Sequence, residues 1–104
     1  MSTFDDRENA FENKFAHDEE MKFKAEARRN KLVGLWAAAL MGKSGDAAEA
    51  YAKEVVLADF EEAGYEDVVR KVAGDLGDLA DADTIRAKLE EMMATAKDQL
   101  MKEL

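Results

Sequence analysis

The chain has no cysteine and no proline among its 104 residues. The first absence removes disulfides, thiolate zinc sites and a cysteine nucleophile, and it fits a reducing cytoplasm. The second leaves nothing to break a helix outright. β-Branched residues are sparse and no stretch alternates as a half-buried strand does, while Ala, Glu, Lys, Leu, Asp and Met dominate. There is no apolar run long enough to cross a bilayer: Leu32 to Met41 is about half of the roughly 20 residues required. Phe4-Asp5-Asp6-Arg7-Glu8 is charged where a secretory leader would be apolar. Positive charge is the minority, and a formal net charge of −9 with a pI near 4.6 argues against binding nucleic acid or an anionic membrane. What is left is a single all-α domain with one modest core, expected to be a monomer.

Three glycine-bearing breaks divide the chain: Gly42-Lys43-Ser44-Gly45, Ala63-Gly64, and Gly77 to Asp81. Four helices and a four-helix bundle follow, because short connections favour antiparallel neighbours. Asp46-Ala47-Ala48-Glu49 reads as a capping box for the second helix, Glu66 and Asp67 favour the start of the third, and Asp81 or Asp83 caps the fourth. Ile85, Leu89, Met92, Ala96, Leu100 and Leu104 form one helical stripe; Tyr65, Val68, Val69, Val72 and Leu76 form another. Tyr51, Val55, Val56 and Phe60 mark the inner face of the second helix, and Met92, Met93 and Met101 are read as core filler.

The first helix is the anomaly. Only Gly34 interrupts Thr3 to Met41, at a tolerable cost of about 1 kcal/mol. As one helix it would span roughly 55 Å, against roughly 25–33 Å for its partners. Leu32, Val33, Leu35, Trp36, Leu40 and Met41 supply its docked end, so residues 1–19 are expected to project, fold back or fray, beside a helical body of residues 20–104. Phe4, Phe11 and Phe15, spaced by seven and four, share one face of that segment. They read either as anchors for a partner's groove or as side chains that fold back onto the bundle.

Little else carries chemistry. Gly42-Lys43-Ser44 resembles the end of a phosphate-binding loop, but Ala37 stands where its first glycine belongs and no strand precedes it. Lys43 beside the amides before the next helix could still hold an anion loosely. His17 is the only histidine, the carboxylates lack the spacing of a calcium loop, and no nucleophile–base pair is in sight. No metal, no required cofactor and no catalysis are expected. The cations Lys22, Lys24, Arg28, Arg29 and Lys31 cluster in an otherwise acidic chain, with Glu20 and Glu26 within reach of some of them. They read as a salt-bridged face, as a patch for an acidic partner or, with Lys43, as a weak site for ADP or ATP.

Thr3-Phe4-Asp5-Asp6-Arg7-Glu8, Lys14-Phe15-Ala16-His17-Asp18 and Phe23-Lys24-Ala25-Glu26-Ala27-Arg28-Arg29-Asn30 resemble the zeta subunit of the alphaproteobacterial F-type ATP synthase. The similarity continues through Trp36-Ala37-Ala38, Gly42-Lys43, Tyr51-Ala52, Asp59-Phe60 and Thr84-Ile85-Arg86-Ala87-Lys88, so it covers essentially the whole chain. The resemblance implies a four-helix bundle with an N-terminal inhibitory segment that enters an α/β catalytic interface near the γ stalk and blocks ATP hydrolysis. On this chain that segment is about Met1 to Glu19, with Phe4, Phe11 and Phe15 as apolar anchors. Asp5, Asp6, Arg7, Glu8 and Lys14 would set its register and charge fit. The resemblance also implies partners in the α, β and γ subunits, a cytoplasmic position peripheral to the inner membrane, and binding of adenine nucleotide. The alternative is a helical nucleotide sensor or adaptor without inhibitory activity.

Overall fold

Asp18 ends what the sequence presents as one long helix. A computed structural model describes the backbone of residues 3–60 and 65–103, with side chains for 9–59 and 65–103. In it the chain forms α1 (Thr3–Phe15) and then turns before α2 (Glu19–Leu40). The Asp18 amide donates to the Phe15 carbonyl at 3.0 Å, closing α1. The Asp18 carboxylate then accepts from the Met21 amide at 3.1 Å, capping α2, with Glu19 and Glu20 in its first turn. A short acidic side chain that satisfies first-turn amides competes with helix continuation at its own position. The first helix is therefore not continuous, and of the courses open to its N-terminal part, projecting, folding back or fraying, α1 folds back along α5.

The remaining elements are α3 (Gly45–Leu57), a 3-10 turn over Ala58–Phe60, α4 (Glu66–Leu76), a second such turn over Gly77–Leu79, and α5 (Ala82–Lys102). The expected four helices thus become five, and among the described residues there is no strand. Gly42 and Gly77 take positive φ, 80° and 56°, just after α2 and α4. Both end a helix in a conformation that a Cβ disfavours. The starts of α4 and α5 are as the sequence indicates: Glu66 and Asp67 occupy the first turn of α4, and Asp81 caps α5 by accepting from the Thr84 amide at 2.8 Å. The capping box at Asp46 is not formed. Ser44 holds the cap position without a side-chain hydrogen bond, and Asp46 lies inside the first turn, near the positive end of the helix dipole.

α2 is central, packed between α3 and α5, with α4 closing over them. The main core gathers Val33 and Ala37 of α2, Tyr51 and Val55 of α3, Val68 and Val72 of α4, and Ile85 and Leu89 of α5. The stripes read from α4 and α5 are the buried ones; Phe60 and Leu104 fall outside the described side chains. Met92 packs on this core, while Met93 and Met101 pack on a second, smaller cluster under α1.

Gly34 has a packing role that a bare helix-propensity argument misses. A Cβ placed there would lie 2.7 Å from the Ala52 Cα, so α2 and α3 approach each other backbone to backbone at this point. Gly34→Ala would gain about 1 kcal/mol of helix propensity. The contact outweighs it, because the obstacle is backbone rather than a flexible side chain. We expect a net loss of about 1–3 kcal/mol in urea unfolding, as for other overpacked contacts.

A buried polar cluster ties the end of α3 to α2. Asn30 Nδ2 donates to Asp59 Oδ2 at 2.9 Å, Arg29 Nη2 donates to the same oxygen at 3.3 Å, and Arg29 Nε donates to Asn30 Oδ1 at 3.0 Å. The Arg29 guanidinium also lies 5.8 Å from the centroid of Tyr65, just before α4. Burial lowers the Arg29 pKa, and the Asp59 carboxylate opposes that shift.

Candidate functional site

The N-terminal face is occupied by the protein's own core. Phe11 and Phe15 stack at 5.0 Å between centroids and are 1% and 9% exposed. Their seat is made by Ala25 and Met21 of α2 and by Met93, Leu100 and Met101 of α5. Lys97 of α5 pairs with Glu12 and lies 5.7 Å from the Phe11 ring centroid, latching α1 from the side. Lys14 is exposed, 5.6 Å from the Phe15 ring. Phe4, Asp5, Asp6, Arg7 and Glu8 belong to α1 by backbone, but their side chains lie outside the described residues. Burying the two rings is worth about 1.5–3 kcal/mol each. An isolated helix shorter than ~12–15 residues is marginal in water, so α1 holds its helical form by docking.

The basic residues do not all converge: Lys24, Arg28 and Lys31 line one cleft beside the end of α5, whereas Lys22, Arg29 and Lys43 lie outside it. Lys22 and Lys43 sit at opposite ends of α2, roughly 30 Å apart along the helix. Lys24 pairs with Glu20 at 3.4 Å. Arg28 donates to Gln99 at 3.3 Å and through Nη2 to Glu103 at 3.0 Å, which lowers the Glu103 pKa. Arg29 is spent in the buried cluster with Asp59. Lys43 is exposed, and its amide donates to the Ala38 carbonyl at 2.8 Å, closing the end of α2 rather than waiting for an anion. The six cations thus do not surround one common space.

A further titratable network is structural. The Tyr51 hydroxyl donates to Asp75 at 2.9 Å, and Lys71 donates to the same carboxylate at 2.9 Å and to Glu54 at 3.4 Å. Burial first, and then the Asp75 carboxylate, push the Tyr51 phenol up, away from any role as a base near neutrality. The Lys71 ammonium holds Asp75 below its ordinary value. This network fastens α3 to α4. The sequence shows its residue types but not their meeting. His17 is exposed in the turn between α1 and α2, and among the described residues no group of carboxylates and imidazole could hold a metal ion. No described helix is long and apolar enough to cross a membrane.

These features describe a small all-helical protein whose polar chemistry holds helices together and whose N-terminal helix is a separate docked element, the build of a regulatory or binding protein. The chain belongs to the family described as ATPase inhibitor subunit zeta, whose model matches residues 1–99. That family is an inhibitory regulatory subunit of the ATP synthase. The chain is also similar to a protein solved in solution by NMR, at 67% sequence identity and a TM-score of 0.76, over 81% of this chain and 99% of that one. No curated protein matches it.

Proposed function

We propose that the chain inhibits ATP hydrolysis by the F-type ATP synthase through residues 1–19. In this reading the segment forms a helix inside an α/β catalytic interface near the γ stalk and stops the rotor. Family membership supports the inhibitory role. The observation that carries the mechanism is the arrangement of α1: an amphipathic helix seated by Phe11 and Phe15 and latched by the Glu12–Lys97 ion pair, on a body whose main core, among the described residues, contains none of its side chains. The aromatic face that fits a partner's groove is the face α5 now covers. Inhibition therefore requires α1 to leave α5, and Phe11 and Phe15 exchange an internal seat for an external one. Release leaves the Val33–Val55–Ile85–Leu89 core intact.

This reading makes the seat on α5 a competitor of the catalytic head. Apparent affinity falls in proportion to the fraction of molecules with α1 free. Weakening the seat without touching residues 1–19 should strengthen inhibition. Met93→Ala with Lys97→Ala removes a packing contact, the Glu12 ion pair and the cation over Phe11. A titration of ATP hydrolysis by the purified alphaproteobacterial catalytic head should then reach half-inhibition at about ten-fold lower concentration than with the wild-type chain. Unchanged or weaker inhibition by a folded double variant would count against release as the controlling step.

A further inference from the structure

A second surface, away from the aromatic face of α1, has the form of a docking groove. A cleft of about 900 Å³ runs along α2 beside the end of α5, and a second of about 300 Å³ opens between α2 and α3. The two share Lys31 and Val56, so they form one trough. Small side chains, Ala27 and Ala52, line its floor, and it passes the point where Gly34 brings α2 and α3 together. Large apolar side chains stand along its walls. Phe23 is 59% and Leu57 is 64% exposed, and Leu32 and Leu35 are half-buried between them. From Phe23 to Leu35 the wall on α2 is roughly 18 Å long, about three helical turns. Large side chains over a floor of alanines form the holes into which the knobs of an incoming helix fit.

The rim identifies the charge of the occupant. Lys24, Arg28, Lys31 and Lys53 border the trough, against Glu49 and Glu103. Arg28 and Glu103 neutralise each other and Lys24 is paired with Glu20, so the excess rests on Lys31 and Lys53 against Glu49. Lys31 of α2 and Lys53 of α3 line the trough from opposite sides, and among the described residues neither forms an ion pair, although Glu49 stands one helical turn before Lys53. This local excess of positive charge stands in a chain of net charge −9. Charges beyond about 8 Å are largely screened at physiological ionic strength, so the rim is what a docked partner meets. The overall charge disfavours a second copy of the chain and an anionic lipid surface alike.

We propose that the α2–α3 trough binds an acidic amphipathic helix of the protein partner, with apolar residues seated between Phe23 and Leu57 and carboxylates facing Lys31 and Lys53. This rests on the reading of the chain as an inhibitor of the ATP synthase head: the trough anchors the helical body outside the interface that residues 1–19 enter. Anchoring raises the effective concentration of α1 at its target without contributing to the block itself.

The test separates anchoring from inhibition. Full-length chains carrying Phe23→Asp with Leu57→Asp, or Lys31→Glu with Lys53→Glu, change exposed side chains and should keep the wild-type circular dichroism spectrum. Binding to the immobilised catalytic head should weaken by about ten-fold or more in both, with complete inhibition still reached at saturating concentration. Benzoylphenylalanine at Leu57 in the assembled complex should cross-link to a helical segment rich in Asp and Glu. Wild-type affinity in both double variants, a cross-link to a loop or a second copy, or binding of the free chain to phosphatidylserine vesicles through Lys31 and Lys53 would overturn the proposal. Failure of the wild-type chain to bind the head at all would instead remove the functional reading beneath it.

Discussion

Removal of residues 1–19 should abolish inhibition and leave residues 20–104 folded. The structural half of this expectation follows from how the two cores divide. Val33, Val55, Val68, Val72, Ile85 and Leu89 come from α2 to α5 and have no neighbour in α1 within their cluster. Truncation costs the burial of Phe11 and Phe15 and the Asp18 cap of α2, the latter about 1 kcal/mol. It also uncovers Leu100, Met93 and Met101 on α5. A lower melting temperature with an intact, cooperative transition is the expected result. The functional half is a larger change: hydrolysis by the catalytic head proceeds at its uninhibited rate even with a large excess of the truncated chain. Inhibition retained by residues 20–104 would move the inhibitory element into the helical body.

The largest loss of stability is expected at Asp59, far from the inhibitory segment. Its carboxylate and the Arg29 guanidinium are 11% and 7% exposed. Removing one member of such a pair strands the other charge in a poorly solvated site, at about 3–5 kcal/mol. Asn30, 1% exposed, loses its acceptor in the same step. Asp59→Ala should therefore shift the urea midpoint by more than any single change in the exposed face of α2. Buried pairs replaced whole by apolar groups are often neutral, so Asp59→Ala with Arg29→Met should recover much of the loss. A single variant with wild-type stability would mean that the cluster is solvated in solution.

Much of this architecture is legible in the sequence because helical periodicity is local. The stripes of α4 and α5 and the Asp81 cap need only the spacing of apolar residues and a turn signal to be recognised. The break at residues 16–18 lacks both glycine and proline, and its signal is Asp18-Glu19-Glu20, an acidic cap that resembles the charged runs on either side. Sequence spacing selected the face of Phe11 and Phe15 but offered both an internal and an external seat for it. The choice depends on Leu100 and Met101, more than eighty residues away along the chain. The Arg29–Asn30–Asp59 cluster is a tertiary pairing across about thirty residues, and no local pattern announces it. The same holds for the trough, whose walls come from different helices. The cations show what spacing alone does not convey. Lys22 and Lys43 are both basic and both on or beside α2, yet a rigid helix holds them apart.

Reversible tethering of α1 to α5 tests the central claim most directly. The chain is free of cysteine, so Glu12→Cys with Lys97→Cys provides one addressable pair at the observed ion-pair position. A short reductant-cleavable bis-thiol bridge then holds α1 in its seat. If the segment that docks on α5 is the segment that inhibits, the bridged protein fails to inhibit ATP hydrolysis and regains inhibition when the bridge is cleaved. Full inhibition by the bridged protein, or none after cleavage, would contradict the account.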